Sequence, residues 1–115
     1  MTMITLWHNP RCSKSREGLK LLQEAGADVE VRKYLEDAPS AAEIRAVLDK
    51  LGVAPIDMMR TKEKLFRELG LSRDSDPDTL IRAMAEHPRL IERPIGIRGD
   101  RARIGRPPEN LLELL

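Results

Sequence analysis

The residues with the most chemistry to offer lie in one run, His8-Asn9-Pro10-Arg11-Cys12-Ser13-Lys14-Ser15-Arg16, which holds the only cysteine of the chain. A thiol attacks only when ionised, and ionisation is favoured by nearby cations and by the unpaired N–H groups at a helix start. Ile4-Thr5-Leu6-Trp7 reads as a strand and Glu17 to Ala25 as a helix with Leu19 and Leu22 on one side. The order is therefore strand, short loop, cysteine, helix. Ser13 and Ser15 add hydroxyl donors, and Arg11, Lys14 and Arg16 add positive charge. Such a setting favours a thiolate and attracts anions, so an oxyanion can be held directly against sulfur. A lone cysteine is otherwise most often a small buried apolar residue with no chemistry. The polar and charged neighbours of Cys12 argue against that reading.

The elements that must position this run belong to a chain of 115 residues, enough for one domain, 1–115, with a single modest core. Hydrophobic residues at 41% and charged residues at 34% are ordinary for a soluble protein, neither disordered nor membrane-like. No apolar run approaches the length of a membrane span. Met1-Thr2-Met3-Ile4-Thr5 lacks a basic start and a long apolar stretch, so no secretory signal is expected. One cysteine allows no internal disulfide, and a reducing cytoplasm is the expected compartment. The net charge of +1 gives no case for nucleic acid. Charge is uneven, however. Between positions 89 and 106, arginines 89, 93, 98, 101, 103 and 106 face only Glu92 and Asp100, a balance of +4 that leaves −3 for the rest. A local arginine cluster on a near-neutral protein suits a small anion better than a long polyanion. For most of these arginines the plainer alternative is a solvated basic face.

Gly26 is a natural helix stop, and Asp28-Val29-Glu30-Val31-Arg32 alternates with period two as a second strand. The helical crossover is long enough for parallel pairing, which makes a β-α-β unit. Ser40 and Glu43 have the spacing of a capping box. Ile44, Val47, Leu48 and Leu51 then follow at helical spacing until Gly52. Pro55 to Met59 reads as a short helical turn carrying Arg60. Thr61 is a candidate cap for a short helix through Phe66 and Leu69, stopped by Gly70. Asp76-Pro77 opens another helix, with Leu80, Ile81 and Met84 as its apolar face and His87-Pro88 at its end. Ile95-Gly96-Ile97, a turn at Arg98-Gly99-Asp100 and Ala102-Arg103-Ile104 read as a hairpin. Pro107-Pro108-Glu109 opens a terminal helix with Leu111, Leu112 and Leu115 apolar. The sum is an α/β fold: a mixed sheet in the order β-α-β … β-β-α, helices on both sides, and a central helical insertion over roughly 40–88.

That order, with a reactive cysteine after the first strand, resembles the thioredoxin-like fold. The run from His8 to Arg16, Arg60 in its Met-Met-Arg setting, Glu92-Arg93-Pro94-Ile95 and Ile104-Gly105-Arg106-Pro107 are together similar to the signature of the glutaredoxin-linked arsenate reductase (ArsC) family. The resemblance runs in register over essentially the full chain. It implies Cys12 as nucleophile, His8 as the group that tunes the thiol, and Arg60, Arg93 and Arg106 as oxyanion ligands. It also implies that Pro94 is the cis-proline facing the cysteine loop. In one respect the chain departs from the pattern: the best-studied members carry small residues after the cysteine, whereas Ser13-Lys14 follow it here and Arg11 precedes it. It thus looks like a sub-branch with a basic cysteine loop.

Arsenate carries two negative charges near neutrality, and guanidinium forks match its oxygens. Arg93 and Arg106 each precede a proline, which constrains them to extended geometry. Arg106 also shares the strand parity of Ala102 and Ile104, so both arginines are expected to point inward. Arg98, Arg101 and Arg103 are expected to be solvated. His8 as imidazolium would stabilise the thiolate by charge. Ser15 is a candidate donor to the thiolate or anion, with helix capping as its plainer role, and Asn9 a loop former. No metal-ligand spacing, phosphate loop or serine–histidine–acid set stands out.

The implied reaction is reduction of arsenate to arsenite through a Cys12 thiolate–arsenate adduct, resolved by glutathione as co-substrate and then by glutaredoxin. No tightly bound cofactor, nucleic acid or membrane is expected. Two alternatives stand beside it. A regulatory binding module of the Spx type shares the fold, but typically carries Cys-x-x-Cys where Ser15 stands here. A general glutaredoxin-type thiol oxidoreductase would act on glutathione mixed disulfides without arsenate.

Overall fold

The computed structural model describes residues 3–115; Met1 and Thr2, at the head of the segment read as lacking a secretory signal, lie outside the described residues. The chain divides into two compact units, one formed by the chain up to Asp37 together with Arg93–Leu115, the other by Ala38–Glu92.

The first unit carries the sheet. Strand β1 (Met3–Trp7) leads through helix α1 (Ser13–Glu24) into β2 (Asp28–Arg32), and a hairpin of β3 (Ile95–Arg98) and β4 (Arg101–Ile104) completes the order β2-β1-β3-β4. β1 pairs parallel with β2, Ile4 opposite Val29, because the helical crossover returns the chain in the same direction. β3 runs antiparallel to β1, with Ile95 opposite Trp7, and β4 runs antiparallel to β3. Ile4 and Leu6 share one face of β1 by their two-residue spacing. They form a core with Leu22 of α1 and with Leu111 and Leu114 of the C-terminal 3₁₀ segment Pro108–Leu114. Each such leucine, fully removed from water, contributes about 1.5–3 kcal/mol before entropy is counted. This is a mixed thioredoxin-like α/β sheet, as the sequence order implies. Within this unit α1 and the terminal segment share the Ile4/Leu6 face, rather than covering opposite faces.

Several elements differ from the sequence reading. Helix α1 begins at Ser13, not Glu17, because the Arg16 N–H already bonds the Cys12 carbonyl at 3.0 Å. Its first turn lacks large apolar residues, so periodicity could not reveal it. β3 extends to Arg98, which pairs with Arg101. The turn is therefore two residues, and Gly99 adopts φ +58°, the left-handed region a tight hairpin turn requires. The terminal segment is 3₁₀ rather than α. With three residues per turn it buries Pro108, Leu111 and Leu114, leaving Leu112 and Leu115 exposed.

The second unit is helical: α2 (Ala41–Leu51), a 3₁₀ turn at Pro55–Met58, α3 (Lys64–Glu68), α4 (Pro77–Glu86) and a 3₁₀ turn at Pro88–Leu90. The capping box at Ser40 is complete: the Glu43 N–H donates to Ser40 Oγ at 3.1 Å, and the Ser40 N–H to Glu43 Oε1 at 3.0 Å. Asp76 caps α4 and Pro77 starts it. The buried faces Ile44, Val47, Leu48 and Leu80, Ile81, Met84 belong to helices packed on one another. Thr61 caps nothing: α3 starts later, with Glu63 in the cap position. No helix among the described residues is long and apolar enough to cross a membrane.

Candidate active site

Cys12 is partly exposed and occupies the N-cap position of α1. The loop leading to it is held by Asn9. The Asn9 carbonyl accepts from the Cys12 N–H at 3.0 Å, and its Oδ1 accepts from the Arg11 N–H at 3.0 Å. The Arg16 guanidinium closes the loop from outside by donating to the Pro10 carbonyl at 2.9 Å. An N-cap side chain faces the second and third N–H groups of its helix, here those of Lys14 and Ser15. The Cys12 side chain closes no ordinary cap bond, yet both amides act on its sulfur.

The thiol pKa reflects opposed causes. Burial pushes it up. The Ser15 N–H, the Arg93 charge, the Lys14 N–H and a hydrogen bond from the Arg93 side chain together outweigh burial, so the pKa lies below that of an ordinary thiol. The sequence reading named helix-start N–H groups, and the amides of Lys14 and Ser15 are those groups. Arg93 joins them from the start of the hairpin, 81 positions along the chain from Cys12.

Two residues have hydrogen-bond partners that the sequence reading did not name. His8 is buried, and its Nδ1 lies 2.8 Å from Ser15 Oγ. Burial, then the charges of Lys33 and Arg16, lower its pKa below 6.5. It is therefore a neutral imidazole near pH 7, not the imidazolium expected, and it is tied to Ser15 rather than to sulfur. Ser15 is fully buried, and its hydroxyl accepts from the Asn9 N–H at 3.0 Å. Which of Ser15 Oγ and His8 Nδ1 donates in this bond follows the ring tautomer. With its hydroxyl bonded to His8 and Asn9, Ser15 meets the thiol through its backbone N–H.

The Arg93–Pro94 and Arg106–Pro107 peptides are both cis. Arg93 is half-buried, whereas Arg106 is exposed. The inward orientation expected of Arg106 fails because β4 ends at Ile104, so strand parity does not extend to it. Its Nη1 instead donates to the Arg93 carbonyl at 3.1 Å. Arg60 belongs to the second unit, where its guanidinium lies 3.4 Å from Glu63 and donates to the Arg89 carbonyl at 3.4 Å. Its assignment to the anion rests on the resemblance alone. Arg98 and Arg101, expected to be solvated, donate to the Leu114 carbonyl at 2.6 and 3.1 Å, and Arg103 lies 3.7 Å from Glu113. These cations finish the carboxyl end of the terminal segment, where carbonyls lack helical partners.

The sequence reading missed the packing around Pro94. A β-carbon on Gly18 would lie 3.1 Å from the Pro94 ring, and one on Gly105 only 2.8 Å from it. The available signal was Gly18 itself, since a glycine inside a helix costs about 0.5–1 kcal/mol relative to alanine and needs a packing reason. Among the described residues, no three histidine, cysteine, aspartate or glutamate side chains gather as a metal site would require.

Comparison with known proteins follows the same residues. The model of the ArsC family matches positions 7–114. The chain is 48% identical to a protein named arsenate reductase from Neisseria meningitidis, with 100% of both chains covered. It is also 48% identical to the uncharacterized protein YfgD of Escherichia coli, over 97% of this chain and 96% of that one. A solved structure titled arsenate reductase from Vibrio cholerae superposes with a TM-score of 0.95 at 48% identity, covering 99% of this chain and 98% of that one. The family match runs from the last residue of β1 to the last residue of the terminal 3₁₀ segment, taking in the cysteine loop and both arginine–proline pairs, and on that ground the chain belongs to the ArsC family.

Proposed function

We propose that this protein reduces arsenate to arsenite. The observation that carries the reading is Cys12 at the start of α1, where the Lys14 and Ser15 N–H groups and the Arg93 cation hold its pKa below that of an ordinary thiol. A cation so placed stabilises the thiolate and also offsets the repulsion between thiolate and an incoming oxyanion. The name carried by several full-length relatives supports the choice of arsenate.

The Cys12 thiolate attacks arsenic, an S–As bond forms, and an arsenate oxygen leaves as water after protonation. Glutathione then attacks the Cys12 sulfur. The S–As bond breaks, its electron pair stays on arsenic, and arsenite leaves as the two thiols become a mixed disulfide. Arsenic gains the two electrons that the sulfurs lose. With no second cysteine in the chain, the resolving thiol comes from outside, and glutaredoxin returns Cys12 to the thiol by exchange. Arg93 holds an arsenate oxygen, and Arg106, tied to the Arg93 carbonyl, adds charge at the rim. His8 acts as a positioning residue through Ser15. Glutathione is a co-substrate, no cofactor is held tightly, and the consumption of reduced thiols places the reaction in a reducing cytoplasm.

The test is release of arsenite by the purified protein supplied with arsenate, glutathione and glutaredoxin. Steady turnover, abolished in Cys12→Ser, is expected. Wild-type protein that releases none above the glutathione-only background would end this reading.

A further inference from the structure

The structure assigns a positioning role to Leu111: seated in a socket of three glycines, it holds the Pro94 ring in place and, through it, the Arg93 guanidinium against the Cys12 sulfur. The inference rests on Cys12 being the reactive group, as in the function proposed above, but not on the identity of the substrate.

Leu111 lies in the terminal 3₁₀ segment and is fully buried. Gly18 in α1, Gly96 in β3 and Gly105 after β4 surround it. β-carbons on these glycines would fall 2.7, 2.9 and 3.0 Å from Leu111 atoms, closer than packed carbons approach. The absence of side chains at these three positions therefore makes room for Leu111, which shares the Gly96 position with Leu114 at 2.8 Å. The same socket holds Pro94, whose ring is within 3.1 Å of the β-carbon positions of Gly18 and Gly105.

Backbone bonds connect this packing to Arg93. The Gly105 N–H donates to the Pro94 carbonyl at 2.8 Å, and Arg106 Nη1 donates to the Arg93 carbonyl at 3.1 Å. Both carbonyls flanking the Arg93–Pro94 link are thus held from the segment after β4. Asn110, next to Leu111, ties that segment to the 3₁₀ turn by donating to the Arg106 carbonyl at 3.2 Å. α1, which presents Cys12 at its start, presses on Leu111 and Pro94 through Gly18, one and a half turns further on. The sulfur and its guanidinium partner are therefore referenced to one side chain. Close-packed interiors transmit such displacements rather than absorb them.

The experiment measures the rate of Cys12 alkylation by iodoacetamide against pH on the full-length protein, without arsenate, beside a thermal melt. Gly18→Ala places a β-carbon 2.7 Å from Leu111 Cδ1. It is expected to move the alkylation midpoint to higher pH and to slow the reaction below the midpoint by roughly threefold, as loosening of the Arg93 contact requires. Leu111→Val removes that Cδ1 atom. Alone it is expected to raise the midpoint by leaving Pro94 slack; combined with Gly18→Ala it is expected to bring the midpoint back toward wild type. In an Arg93→Gln background neither substitution is expected to move the midpoint further. Leu112→Ala, on the exposed side of the same segment, controls for general loosening and is expected to leave the midpoint in place. A Gly18→Ala protein that melts without cooperativity passes the test to Leu111→Val in the two backgrounds. The inference is overturned if folded Leu111→Val keeps the wild-type midpoint, or if its shift persists in Arg93→Gln. Because arsenate is absent, failure of the arsenate reading and failure of this one are separate results.

Discussion

Burial opposes ionisation of Cys12, and two amides and one guanidinium overcome it. Of these groups only Arg93 is a side chain, so only Arg93 can be removed without altering the helix start. Arg93→Gln keeps a hydrogen-bond donor but loses the fixed charge. The Cys12 midpoint should therefore rise toward that of an ordinary thiol, which the alkylation profile measures; an unmoved midpoint would leave the helix start as sole cause. Ser15 presents a different case, because its hydroxyl is fully buried and serves both His8 and the Asn9 N–H. Ser15→Ala leaves an imidazole nitrogen and a backbone N–H without that partner. Buried polar groups stripped of a partner cost about 1–3 kcal/mol each, so chemical denaturation should show a loss of at least that order. Replacement by cysteine, nearly the same size but a weaker hydrogen-bonding group, should recover only part of it.

The elements show where sequence pattern carries information and where it does not. Helix α2 was legible in full: the Ser40–Glu43 box, the Ile44-Val47-Leu48 face and the left-handed Gly52 are all local signals, and each is present. Ser40→Ala should cost about 1 kcal/mol by removing the acceptor for the Glu43 N–H. The loss should appear in the melt while Cys12 alkylation stays unchanged; a changed alkylation profile would contradict the local character of the cap. The start of α1 was not legible, because its first turn is fixed by Asn9 and Cys12 backbone bonds and carries no apolar period. The terminal segment buries Leu111 as its apolar pattern implies but leaves Leu112 and Leu115 exposed, since a three-residue repeat cannot be told from an α-helical one across only two turns. At the site, the placement of Cys12 at a helix start and of Arg93 as a partly buried arginine before a proline was legible from chemistry and from the family signature. The partners of His8, Ser15 and the hairpin arginines were not, because each depends on which backbone groups the finished fold leaves open. Arg98 illustrates the point: in the sequence it is one more surface cation, whereas in the structure it closes on the Leu114 carbonyl at 2.6 Å.

For the whole molecule, the lowered pKa values of Cys12 and His8 predict how stability follows pH. Both Cys12 and His8 have folded-state pKa values below their ordinary ones. Consider Cys12 first. Between its lowered pKa and the ordinary thiol value near 9.0, the unfolded chain holds a proton that the folded protein has released, so stability rises with pH. That contribution is fully present above the ordinary value and is lost as pH falls through the lowered one. His8 adds a second window with the same sign. Below 6.5 the unfolded imidazole takes up a proton while the buried ring stays neutral, so folding is progressively penalised by acid until the lowered pKa is passed. Urea midpoints measured from pH 5 to pH 9 should therefore increase with pH in both windows. The two contributions can be separated by substitution. Cys12→Ser should flatten the alkaline window and leave the acid one. His8→Gln should flatten the part below 6.5 and leave the alkaline one, at some uniform cost from the altered bond to Ser15. If His8→Gln retained the full acid slope, the buried ring would not be the group that resists protonation, and its neutral assignment beside Ser15 would have to be withdrawn.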